Sequence, residues 1–150
     1  MNRLGPSAFF RRMPLLHHTI APGRPSASPP HAASLRSASA RFAAETPHRL
    51  LVLHGIFGQG RNWASVAQVL VQLRPDWEVV LADLRMHGRS QEGFDPPHTI
   101  AACADDAVAL GQSLGGVTAV LGHSFGGKVA LAYLARETPR QAWVVDSDAA

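Results

Sequence analysis

A serine with a glycine two residues to either side, in the run Gly122, His123, Ser124, Phe125, Gly126, is the stretch of this 150-residue chain best suited to chemistry. The spacing has a steric reason. Where a strand reverses sharply into a helix the apical residue is strained, and side chains two positions away would collide, so glycine is wanted at both places. A hydroxyl at such an apex stands clear of the sheet, and the N–H of the next residue, Phe125, points towards any oxyanion that forms beside it. Ser124 is therefore a candidate nucleophile, with Gly122 and Gly126 permitting the turn.

The flanking sequence supplies the elements the turn needs. Residues 117–121 are almost wholly apolar, as a strand buried on both faces should be, and a helix-forming run over 128–136 follows. Residues 122–128 also fit the first seven places of a phosphate-binding loop. The eighth place fails, because Val129 stands where a Ser or Thr hydroxyl would hold magnesium. The residues call for no nucleotide, no other cofactor and no metal.

The same logic extends back along the chain. Residues 49–54 form a short apolar run ended by glycine, which predicts a buried strand, and the loop HGIFGQG follows. Over 62–73, Trp63, Val66, Ala67, Leu70 and Leu73 share one helical face, and Pro75 ends it. A second strand is expected over 77–82, closed by Asp83 and the loop LRMHGRS; residues 91–98, with Pro96 and Pro97, are loop. Thr99 can cap a helix that lines one face with Ile100, Cys103, Ala107, Leu110 and Leu114, while Asp105 and Asp106 face water or its positive end. Gly115 and Gly116 stop that helix, and a last strand over 142–145 ends at Asp146.

Strands alternating with helices of this length imply right-handed crossovers, so the expected class is α/β, a parallel sheet with helices on both faces. Chemistry in such sheets gathers where the strand C-termini meet the loops. His54, Gly55, Asp83, His87, Ser124 and Asp146 each follow a strand end.

Composition narrows the class further. A hydrophobic content of 46% suits one globular domain, and no apolar run approaches the ~20 residues of a spanning helix. The single cysteine, Cys103, cannot make an internal disulfide and fits as buried filler. The net charge of +3 is unevenly spread: residues 1–44 hold six arginines and no Asp, Glu or Lys, while the remainder holds eight basic and eleven acidic residues. A nucleic-acid-binding domain would need its basic face on the folded part, so that class is excluded.

Residues 1–45 are rich in Ser, Ala, Pro and Arg, with Pro6, Pro14, Pro22, Pro25, Pro29 and Pro30 interrupting any regular element. The expectation is a disordered leader with the composition of an organelle transit peptide, followed by a folded region over 46–150. A mitochondrion is the first destination, with a plastid or, for a tail without a role, the cytoplasm as alternatives.

The turn GHSFGGK, the loop HGIFGQGRNW and the strand and loop ADLRMHGRS, in that order, resemble the α/β-hydrolase fold. Their wording is similar to its small esterase and thioesterase branch, with mitochondrial and bacterial members, and the resemblance spans residues 49–146. It implies that Ser124 attacks a small-molecule ester or acyl thioester and forms an acyl-enzyme. The oxyanion would be held by the N–H of Phe125 and that of Ile56 or Phe57. His54, His87, His123 and Asp83 would be structural, and Asp146 would be the triad acid or a strand-end turn residue, with Asp148 as fallback.

Triads that begin with serine place the base histidine last along the chain, and no histidine follows His123. The expectation is thus the N-terminal part of a truncated α/β-hydrolase domain, impaired when alone, with an open sheet edge available for self-association. The alternative is a non-catalytic fragment or interaction module of hydrolase descent.

Overall fold

Leu50, Leu51, Val52 and Leu53 run without a polar break, and all four are buried, as a central strand covered on both faces requires. They lie in β2 (His48–Leu53) of a computed structural model that describes residues 14–23 and 47–147. The other strands are β1 (His18–Ala21), β3 (Trp77–Ala82), β4 (Ala119–His123) and β5 (Gln141–Val145). The sheet order is β1-β3-β2-β4-β5, parallel except for β1, which runs antiparallel along β3.

The period-two alternation of strand side chains divides the core between two faces. Leu51, Leu53, Val80, Ala82 and Val120 pack against Cys103, Ala104 and Leu110 of α2 (Ile100–Ser113) and Val129 and Ala130 of α3 (Phe125–Leu134). Leu50, Val52, Val79, Leu81 and Ala119 pack against Ala67 and Val71 of α1 (Ala64–Leu73). Thr99 caps α2 as its sequence suggested, its hydroxyl accepting from the Ala102 N–H at 3.1 Å. Cys103 is buried, and desolvation pushes its thiol up to about 11. Among the described residues no helix is long and apolar enough to cross a membrane.

Three expectations are corrected. The first is disorder across the leader. Residues 18–21 form the edge strand β1, with His18 opposite Ala82 and Ala21 opposite Val79, and Leu16 is buried in the core. The Asp83 N–H donates to His17 O and the His17 N–H to Ser90 Oγ, both at 2.8 Å. Prolines exclude a helix here but tolerate an edge strand between them, and composition averaged over a long leader dilutes a short apolar run. The rest of the leader, 1–13 and 24–45, lies outside the described residues.

The second correction concerns α1. Val66 and Leu73 are exposed, whereas Ala67 and Val71 are buried with Trp63 and Leu70 partly covered. Trp63, Ala67, Leu70 and Val71 are the stripe of helical period that meets the sheet, while Val66 and Leu73 fall at its exposed margin. The third concerns Asp106, which is buried rather than facing water: Arg85 donates from Nε to its Oδ2 at 2.5 Å and from Nη2 to its Oδ1 at 2.8 Å. A buried carboxylate needs such a partner, and this one comes from a distant loop that helical periodicity cannot see.

The helix after Ser124 begins at Phe125, earlier than residue 128, so Gly126 and Gly127 are helical despite their poor propensity. β5 ends the sheet, with Trp143, Val144 and Val145 exposed.

Candidate active site

Ser124 sits between β4 and α3 with φ 52° and ψ −118°, a backbone conformation that a residue with a Cβ occupies only when its surroundings over-determine it. Two bonds supply that constraint. The Ser124 N–H donates to Val145 O at 2.9 Å, and Ser124 O accepts from the Gly127 N–H at 2.8 Å as α3 starts. A Cβ on Gly122 would strike the Gly126 carbonyl, and one on Gly126 would strike the Leu53 carbonyl. Both glycines are therefore needed, and what they avoid is chiefly backbone, with the Ala130 Cβ also in the way of a side chain at Gly122. Phe125 opens α3, so its N–H is one of the donors that a helix N-terminus leaves without an intrahelical acceptor.

The second donor loop lies at the C-terminal end of β2. Gly58 N–H donates to Gly55 O at 2.8 Å, closing a turn whose central N–H groups, those of Ile56 and Phe57, take no part in that bond. A Cβ on Gly55 would lie 3.4 Å from Ser124 Cβ and 3.2 Å from His123 Nδ1. A side chain there would press on the His123 ring, so glycine leaves the loop free to lie against the serine. The side chains of Ile56 and Phe57 are exposed, so their candidacy rests on their amides. Between the loop, Trp63, His123 and Ser124 opens a cleft of about 410 Å³.

The surrounding polar residues have definable tasks. His54 is buried; the Leu84 N–H donates to its Nε2 at 3.0 Å, so Nδ1 carries the proton and donates to Gly55 O at 2.8 Å. Burial pushes the His54 imidazole below its ordinary value; the nearby His87 adds to this, while the Gly55 carbonyl and Asp83 oppose it. A buried ring with both nitrogens engaged is a structural residue, not a base. Asp83 accepts from the Gly60 N–H at 2.7 Å and the Arg89 N–H at 2.9 Å, and His17 Nδ1 lies 3.3 Å away. It therefore ties β1, the loop after β2 and the loop after β3 together.

Asp146 follows β5, one residue beyond the carbonyl that holds the Ser124 N–H, and has φ 50°. Its side chain is 87% exposed, with Oδ2 3.8 Å from His123 Nε2. A triad acid is buried against the imidazole it orients, and Asp146 has no such cover here; Asp148 lies outside the described residues. The fold thus gathers Ser124, Ile56 and Phe57 around one cleft and leaves Asp146 at its margin. Trp63 packs against the core on the face that helical periodicity assigns to it and also walls the cleft, its ring edge-on to that of His123 with centroids 5.8 Å apart. Its position at the end of the glycine-rich loop was the available signal.

A strained, half-exposed hydroxyl beside backbone N–H donors is the arrangement that acyl transfer requires, and comparison with known proteins points the same way. The alpha/beta hydrolase fold family matches residues 48–143. Lipase LipV of Mycobacterium tuberculosis is 38% identical over 102 residues, covering 67% of this chain and 36% of that protein. The sn-1-specific diacylglycerol lipase ABHD11 of Danio rerio is 39% identical over 87 residues, covering 55% and 25%. A thermophilic esterase from Thermogutta terrifontis superposes with a TM-score of 0.60 at 28% identity, covering 69% and 38%. The chain spans between a quarter and two-fifths of these proteins' lengths. With the match running from β2 into β5 and taking in the serine turn, the chain belongs to the α/β-hydrolase fold family.

Proposed function

We propose that Ser124 is the nucleophile of a serine hydrolase acting on a carboxylic ester or acyl thioester. Its Oγ bonds to the carbonyl carbon, the alcohol or thiol leaves with a proton, and water then releases the acid from the acyl-enzyme. Phe125 N–H and an N–H of Ile56 or Phe57 hold the oxyanion. The observation that carries this reading is the positive φ of Ser124 at a turn closed on both sides by glycine. The relatives named lipase and esterase support the substrate class.

The base limits the rate of these 150 residues. No histidine follows His123, and both nitrogens of His54 are engaged. Loss of a triad member leaves only a residual acceleration of roughly 10³–10⁴-fold over water, from the oxyanion hole and binding. Hydrolysis of a p-nitrophenyl ester and of an aryl thioester is therefore expected to be slow, with an acyl adduct on Ser124 found by peptide mass mapping and absent from Ser124→Ala. An ester-treated chain with no adduct on Ser124 would contradict the nucleophile. Brisk turnover lost in Ser124→Ala would contradict the missing base.

A further inference from the structure

The loop after β3 places His87 between the two halves of the oxyanion site. Its Nε2 lies 2.7 Å from Ile56 O and its Nδ1 2.8 Å from Arg85 O. Both neighbours are carbonyl acceptors, and a neutral imidazole carries a single N–H, so the ring donates to one of them; in the tautomer protonated at Nε2 that partner is Ile56 O. The same ring stacks on Phe125, with centroids 6.3 Å apart and planes at 29°, and its other neighbour is the edge of His54 at 5.2 Å. His87 therefore touches both residues that would bear oxyanion donors, one through a backbone carbonyl and one through a ring.

We propose that His87 is a positioning residue that sets the Ile56–Phe57 amides against the Phe125 N–H. The Ile56 carbonyl and the Phe57 N–H belong to one planar trans peptide and point in opposite directions, so holding the oxygen fixes the N–H. Within the turn closed by Gly58, nothing else in that closing bond restrains this peptide from rotating. Stacking on Phe125 refers the whole loop to the start of α3, where Ser124 sits. The inference rests on the acyl-transfer reading of Ser124 for its catalytic meaning, while its structural content stands on the contacts alone.

The test compares the native chain with His87→Phe, which keeps a ring on Phe125 but donates nothing, and His87→Gln, which restores an N–H donor. Amide hydrogen exchange at Gly58, whose N–H closes the turn on Gly55 O, reads the order of the loop. His87→Phe is expected to speed exchange there by about tenfold, the worth of one net hydrogen bond, with amides of β2, β3 and β4 unchanged. His87→Gln is expected to recover most of that protection. Unchanged exchange at Gly58 in the phenylalanine variant would overturn the inference, as would equal loosening of the glutamine variant. Loss of strand protection would mean that His87 serves the fold at large, and would also overturn it.

Capture of Ser124 by a fluorophosphonate, measured alongside, separates this inference from the reading beneath it. Parallel slowing of capture in the phenylalanine variant supports both. A loosened loop with no capture in the native chain would remove the nucleophile and leave the positioning role standing.

Discussion

At the scale of single residues, His54 links the site to pH. In the unfolded chain its imidazole takes up a proton near pH 6.5; in the folded chain burial lowers that value. A depressed folded pKa means that the unfolded state binds the proton first, so the contribution is fully present above pH 6.5 and is lost as pH falls through the folded value. The slope is at most about 1.4 kcal/mol per pH unit for one group. Urea unfolding at pH 7.5 and pH 5.0 is expected to show lower stability in acid, with His54→Gln shrinking the difference. A difference as large in that variant would refute the assignment. Ser124 was legible in the sequence because its constraint is local, two glycines that keep backbone from colliding. The roles of His54 and His87 were legible only in outline, since they depend on carbonyls and N–H groups contributed by other loops.

Elements were legible where burial is symmetrical and obscure where it is not. β2, β3 and α2 fall within a residue or two of their expected spans because long apolar runs and a capping threonine mark them. β1 escaped because four residues between prolines carry too little pattern, and its role comes from pairing with β3. The strand nonetheless anchors the sheet edge through Leu16, which is 1% exposed. Leu16→Ala is expected to destabilise the chain by about 2–5 kcal/mol, the usual result of emptying a core leucine site. An equilibrium unfolding midpoint unmoved by the substitution would show that residues 14–23 do not dock on β3. The exposed Leu15, at 48%, is the internal control: Leu15→Ala should change stability by within about 0.5 kcal/mol.

For the molecule as a whole, strand order and polarity bring the loops after β2, β3 and β4 to one end of the sheet, where a switch in strand order opens a cleft. Charge is unevenly spread along the chain: the arginines of residues 1–44 and the acidic excess of residues 45–150 make the net value of +3 a poor guide to either stretch. That end of the sheet is proposed to present a nucleophilic hydroxyl on Ser124, held by a strained turn beside oxyanion donors. Prolonged exposure of the folded chain to a fluorophosphonate, followed by peptide mapping, is the decisive measurement. An adduct on Ser124 is expected, slow to form, absent from the urea-unfolded chain and absent from Ser124→Ala. An adduct on another serine, or one at Ser124 no more abundant folded than unfolded, would contradict it.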